Sequence, residues 1–251
     1  MSEHRGGEPL LAISGLHKAF GGLIAVNQLA FGVDEGEILG LIGPNGSGKT
    51  TVLNLITGDI RPDAGRVRLS GRNLVGLAPH RICRRRVSRT FQLVRVFPGM
   101  TARENVLVGS AFGSKRTALR ASAGRVDELL DYVGLADQAA RPAGKLTYVD
   151  QKRVELARAL ATDPALLLLD EWQAGLNQTE LQEGIELVRR IRERGVTMIV
   201  VEHVMDAIRT LCDRVVVMNA GRLLAEGLPA DVLANPDVVT AYLGEDDDDD
   251  A

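Results

Sequence analysis

Gly43-Pro44-Asn45-Gly46-Ser47-Gly48-Lys49-Thr50 is the stretch whose residue types and spacing most clearly carry chemistry. The pattern G-x-x-x-x-G-K-[ST] is that of a phosphate-binding loop. Its glycines let backbone N–H groups turn inward around an anion, and a helix N-terminus behind them adds partial positive charge. In such a loop Lys49 reaches the β- and γ-phosphates and the Thr50 hydroxyl holds Mg²⁺. The flanking sequence agrees. The apolar run 38–42 suits a buried parallel strand and residues 51–56 suit a helix. A glycine-rich turn with a chance lysine is the bland alternative, but it does not call for that strand–loop–helix setting. The stretch implies a nucleoside triphosphate site.

A second group lies far along the chain. Residues 165–169 are wholly apolar and run straight into Asp170-Glu171. Burying either carboxylate unpaired is costly, so an adjacent pair at a strand end points to work rather than packing. Asp170 suits the Mg²⁺ shell, and Glu171 suits a general base that polarises the attacking water. Gln92 closes the strand expected over 87–91, where doubly wound folds place ligand-facing groups. His203 follows the apolar run 196–201. A lone histidine is usually structural, but this position also suits a γ-phosphate contact. Phe20, before Gly21-Gly22, reads from its residues alone as a core aromatic, with a platform for a nucleotide base as the alternative.

The elements that must position these groups alternate strand and helix. Strands are expected at 10–14, 16–20, 29–33, 37–42, 66–69, 87–91, 165–169 and 196–201. A hairpin is expected over 214–225, turning at Asn219-Ala220-Gly221. Thr101-Ala102-Arg103-Glu104 and residues 177–180 are capping boxes that open helices. Further helices are expected at 125–133, ending at Gly134, and at 154–162, stopped by Asp163-Pro164; two short ones near 230–233 and 237–242 close the order. Arg81, Arg84, Arg85, Arg86 and Arg89 form a basic cluster, read as a solvated face, with a docking surface as the alternative.

Composition narrows the classes. The chain has 251 residues, 45% of them hydrophobic, enough for a full core. A net charge of −3 and 4% aromatics argue against nucleic-acid binding and base-stacking surfaces. Cys83 and Cys212 are far apart and read as reduced packing residues; His4, His17, His80 and His203 make no metal-ligand spacing. The apolar runs fall far short of the roughly 20 residues of a membrane-spanning helix. A soluble protein is expected, any membrane role coming through a partner.

The order of phosphate loop, Gln92, helical insert, Asp170-Glu171 and His203 resembles the nucleotide-binding subunits of ABC transporters, from residue 10 to 245. That resemblance implies an α/β fold: a P-loop NTPase (RecA-like) core with an antiparallel β subdomain and an α-helical subdomain. It implies one domain over 8–245, a helical subdomain near 101–162 and a disordered acidic tail at 246–251. The family's ATP contacts fall on Gly43, Pro44, Asn45, Gly46, Ser47, Gly48, Lys49, Thr50 and Thr51, with Phe20 as the base platform. Its Mg²⁺ contacts fall on Thr50, Gln92 and Asp170, and its catalytic groups on Glu171, His203 and Gln92. Ala174-Gly175-Leu176-Asn177 falls at the family's D-loop. Phe20-Gly21-Gly22-Leu23, Arg89-Thr90-Phe91-Gln92 and the ending 236–244 look like ATPase subunits of branched-chain amino-acid importers. Those imply ATP and Mg²⁺, a second and different ATPase subunit, two membrane permeases and an external binding protein. They place the chain peripherally on the cytoplasmic face of the membrane.

Two departures stand out. The family's signature, L-S-G-G-Q or L-S-Y-G-Q, is here Leu146-Thr147-Tyr148-Val149-Asp150, and Trp172-Gln173 replaces Pro-Ala or Pro-Thr after Glu171. Val149 stands in place of a glycine that approaches phosphate closely, and Asp150 brings a carboxylate toward the γ-phosphate if it is oriented like the usual glutamine. Two further readings compete: a soluble ABC ATPase outside transport, for which the chain lacks a second domain or heptads, and a regulatory module with weak turnover, which the altered signature favours.

Overall fold

The structure, a computed structural model, describes residues 8–113 and 119–243; the acidic tail expected at 246–251 lies outside them. In chain order the elements are β1 (Leu11–Phe20), β2 (Leu23–Val33), β3 (Ile38–Ile42), α1 (Lys49–Thr57), β4 (Ala64–Leu69), β5 (Arg72–Asn73), α2 (Pro79–Arg84) and β6 (Val87–Arg89). Next come α3 (Ala102–Phe112), α4 (Leu119–Tyr132), α5 (Tyr148–Ala161), β7 (Leu166–Asp170), α6 (Gln178–Glu193) and β8 (Thr197–Val201). The chain closes with α7 (Met205–Leu211), β9 (Arg214–Asn219), β10 (Arg222–Gly227), α8 (Pro229–Leu233) and α9 (Pro236–Leu243). Two compact units result: residues 79–196, and the remainder on either side of them.

The first unit holds an antiparallel sheet ordered β2-β1-β4-β5 and a parallel pairing of β3 with both β8 and β9. Every residue of β3 and β8 is buried, so an unbroken apolar run is what a strand covered on both faces requires. β4 instead alternates, with Val67 and Leu69 inward between exposed arginines. Residues 11–20 form one strand rather than two, because bulges around Gly15 absorb the irregular spacing. β9 and β10 form the expected hairpin, and Ala220 and Gly221 both take positive φ, as its tight turn demands. Arg214 at the start of β9 is tied to Glu37 at 2.8 Å and also to Glu226.

In the second unit β6 runs parallel to β7, and α3 packs against α4 and α5. Both expected capping boxes are formed. Glu104 N donates to Thr101 Oγ1 at 3.1 Å and Thr101 N to Glu104 Oε2 at 2.7 Å. Asn177 and Glu180 make the same exchange at 3.0 and 2.8 Å. α4 and α5 begin earlier than their apolar periodicity suggests. Thr147 starts α5 by capping it, its Oγ1 accepting from Asp150 N at 3.2 Å. The short helices α2 and α7 carry too few turns for a periodic signal.

Cys83 is half-buried and Cys212 buried; burial pushes the Cys212 thiol up to about 12. Among the described residues no helix is long and apolar enough to cross a membrane. Gly109 is where α3 meets α5, and a Cβ there would lie 2.2 Å from Arg158 O. Gly109→Ala should force the helices apart and cost about 1–3 kcal/mol, read as a lower denaturation midpoint of the full chain. An unchanged midpoint would contradict that packing.

Candidate nucleotide-binding and hydrolysis site

The phosphate loop sits between β3 and α1 in the first unit, as its sequence setting requires. Gly43 takes φ 144°, and a Cβ there would fall 2.0 Å from Met218 O; at Gly48, φ 105°, it would fall 2.3 Å from Ala25 O. Those positions admit only glycine. The loop is held from behind by Gly221 N donating to Ser47 O at 3.0 Å and from within by Ser47 N donating to Pro44 O at 3.2 Å. Lys49 is buried, and its ammonium donates to the carbonyls of Gly43 and Pro44 at 2.7 and 2.8 Å. Asn45 and Gly46, at the tip, and Thr50 are exposed, and Thr51 is half-buried. Pro44, Asn45 and Ser47 share a cavity of about 710 Å³ with Asn219 and with Asp237 and Thr240 of α9.

Phe20, at the end of β1, is 48% exposed with Lys18 Nζ 5.3 Å from its ring centre. The core reading fails for it, because the strand ends at the unit's surface and the Gly21-Gly22 turn leaves no covering chain. His203, two residues past β8, is also exposed.

The carboxylates occupy the second unit. Asp170 ends β7, and Arg89 Nη2 donates to its Oδ2 at 2.6 Å with both side chains about 95% buried (5% and 4% exposed). Arg89 therefore leaves the basic cluster: Arg81, Arg84, Arg85 and Arg86 are exposed, whereas Arg89 is a buried partner. The sequence placed all five together because they are neighbours in the chain, but β6 turns Arg89 inward. Glu171 takes φ 46°, a left-handed conformation strained for a residue with a side chain. Gln92 Nε2 donates to Glu171 Oε2 at 2.6 Å. β6 stops at Arg89, so Gln92 belongs to the segment after the strand rather than to its last residue.

That segment is held by a residue the sequence did not single out. Glu155, on α5 and 1% exposed, accepts from Phe91 N at 3.2 Å and Arg95 N at 2.9 Å. Arg158 on the same helix bonds Arg95 O. Charged positions inside an otherwise buried helix face were the available signal, and apolar periodicity passes over them. At the opening of α5, Tyr148 is exposed, and Val149 is half-buried in helical backbone that a branched side chain tolerates. Asp150 Oδ2 accepts from Gln138 Nε2 at 3.1 Å. Trp172 and Gln173 are buried.

Thr50 in the first unit offers a hydroxyl oxygen, and Gln92 and Asp170 in the second offer amide and carboxylate oxygens; each is a hard oxygen donor of the kind Mg²⁺ takes beside phosphate and water. Groups of three His, Cys, Asp or Glu able to hold a metal by themselves do not occur among the described residues.

A family profile described as ABC transporter matches residues 26–174, more than half of the chain. The chain belongs to the ABC transporter ATP-binding family. A second profile, described as branched-chain amino acid ATP-binding cassette transporter, matches residues 222–248, which include β10, α8 and α9. The chain is 43% identical to the high-affinity branched-chain amino acid transport ATP-binding protein BraF of Pseudomonas aeruginosa, over 94% of this chain and 98% of that one. It is equally similar to LivG of Salmonella typhimurium, 43% over 95% and 99%. The ADP conformation of MJ1267, an ATP-binding cassette of an ABC transporter, superposes with a TM-score of 0.86 at 29% identity, covering 95% of this chain and all of that one. The fold that the resemblance implied, a P-loop ATPase core with antiparallel and helical parts, is the fold of these relatives.

Burial raises the Glu155 carboxyl above the ordinary glutamate value, opposed by the Arg95 and Phe91 amides and by Arg158. The folded protein thus binds that proton more tightly than the unfolded chain. The stability it contributes is present below the unfolded pKa and is lost as pH rises through the folded one. Glu155→Gln removes this titration. Its stability relative to the parent should improve as pH rises from the ordinary glutamate range, about 4, upward, measured by urea unfolding at a series of pH values. A difference that stays flat or falls with pH would contradict it.

Proposed function

We propose that this chain is the ATP-binding and ATP-hydrolysing subunit of an ABC importer for branched-chain or related amino acids. The observation that carries the reading is near end-to-end similarity to such subunits together with an unbroken phosphate loop. The loop amides and Lys49 bind the phosphates, displacing the ammonium's bonds to the Gly43 and Pro44 carbonyls. The exposed ring of Phe20 takes the base. Asp170, Thr50 and Gln92 would hold Mg²⁺, which would supply neutralisation of the phosphate charge. Glu171 takes the proton of the attacking water, and Gln92, already bonded to that carboxylate, orients it; His203 contacts the γ-phosphate.

The working unit is this chain with a second, different ATPase subunit, two permeases and an extracytoplasmic binding protein, the chain lying peripherally on the cytoplasmic face. Exposed Leu93, Phe97 and Met100, just beyond Gln92, support a permease contact close to the hydrolytic residues. ATP closes two such subunits and hydrolysis reopens them, which biases the permeases between two states.

The two ATP sites are unequal in this reading. Residues Thr147 to Asp150 serve the partner's nucleotide. Thr147 can still donate its O–H while its oxygen caps α5, but Val149 crowds the phosphate and Asp150 opposes it. The site built on this chain's Lys49, Asp170, Glu171 and His203 is the faster. In the assembled transporter, Glu171→Gln should lower ATP turnover and amino-acid uptake by about 10²-fold or more, with nucleotide binding kept. The matching substitution in the partner should cost much less. Equal losses from both would contradict the asymmetry, and unchanged turnover in Glu171→Gln would remove Glu171 as the base.

A further inference from the structure

The departure after Glu171 has a structural counterpart on α5. Lys152 is 1% exposed, among the largest fully buried side chains, and its ammonium donates to Trp172 O at 2.8 Å and Glu171 O at 3.4 Å. Trp172 returns a bond, its Nε1 donating to Lys152 O at 3.4 Å. The indole, 2% exposed, rests on α6 at Gly184, where a Cβ would come within 2.9 Å of the ring. The Tyr148 ring lies over the same ammonium, 5.0 Å from its centre.

These contacts meet at a strained point of the site. Glu171 sits at φ 46°, a conformation that persists only where surrounding structure over-determines it. A buried ammonium needs acceptors, and it has the Trp172 carbonyl at 2.8 Å and the Glu171 carbonyl at 3.4 Å, the latter shared with Ala174 N at 3.1 Å. Lys152 thereby ties the 171–172 backbone to a helix whose cap is Thr147.

We propose that Lys152 is a positioning residue for Glu171, with Trp172 as its reciprocal anchor. The ammonium fixes the 171–172 backbone, so the carboxylate's direction is set from α5 rather than from β7 alone. The helix that presents residues 147–150 and the residue that activates water then move as one body. This rests on the reading of Glu171 as general base. Trp172 fills the place of the family's proline: ring stiffness is replaced by a packed indole and a hydrogen-bonded lysine.

The test uses the full chain in its assembled transporter, with Lys152→Met, Lys152→Arg and Glu171→Gln. Three readouts are taken: ATP turnover as kcat and KM, binding of a fluorescent trinitrophenyl-ATP and, on the full chain by itself, emission of Trp172, its one tryptophan. Lys152→Met should lower kcat at least tenfold with KM and nucleotide affinity within twofold, and should red-shift the Trp172 emission. Lys152→Arg, which keeps donors for both carbonyls, should recover at least half of kcat and the parental emission. A kcat within twofold of the parent in Lys152→Met, or equal losses in Lys152→Met and Lys152→Arg, would overturn the proposal. If Lys152→Met does not fold, Lys152→Gln takes its place: a threefold or larger fall in kcat at constant KM supports the proposal, and a smaller one overturns it. Glu171→Gln separates the two levels. Full turnover in Glu171→Gln removes the general-base reading, whereas its loss beside a fully active Lys152→Met removes only the positioning role.

Discussion

The buried ammonium of Lys49 is the interaction on which the site depends. An ammonium removed from water needs acceptors, and the chain supplies the carbonyls of Gly43 and Pro44, from the loop that Lys49 itself closes. The loop is thereby held in shape before any phosphate arrives. The glycines permit this because the backbone passes so close to Met218 and Ala25 that no Cβ fits. In the proposed reading phosphate oxygens take the place of the carbonyls at the same ammonium, in a loop that is already shaped.

The same economy recurs in the second unit. Asp170 is paired with Arg89 and Glu171 with Gln92, so neither carboxylate stands in a buried environment without a donor. The segment bearing Gln92 is in turn fastened by Glu155, and the backbone of Glu171 and Trp172 by Lys152; both of those residues lie on α5. One helix therefore carries the residues at 147–150, the pin for Gln92 and the pin for Glu171. Charged residues buried in this helix are expensive to desolvate, and their retention fits a role in fixing direction rather than in adding stability.

Much of this was legible in the sequence, for definable reasons. The phosphate loop is read from spacing because the chemistry demands glycine at close approaches and lysine beside them. The Asp170-Glu171 pair is read because charge at the end of an apolar strand is conspicuous. The capping boxes at Thr101 and Asn177 are local in the chain and formed as expected. What stayed hidden is long-range. Phe20 reads as core until the surface position of its strand end is known, and Arg89 reads as one of a run of surface arginines until β6 turns it onto Asp170. Lys152 and Glu155 break an apolar helical face without announcing their partners, which lie about 20 and 60 residues away in the chain. Short α2 and α7 lack the turns that periodicity needs.

The central claim is that the loop at 43–50 binds nucleotide through Lys49, and equilibrium titration of the full chain with Mg-ATP tests it most directly. The account predicts saturable binding by the parent and at least a 100-fold weaker affinity in Lys49→Met, about 2.7 kcal/mol or more at 25 °C, with an unchanged far-ultraviolet spectrum. Equal affinity in the two proteins, with the fold intact in both, would contradict it.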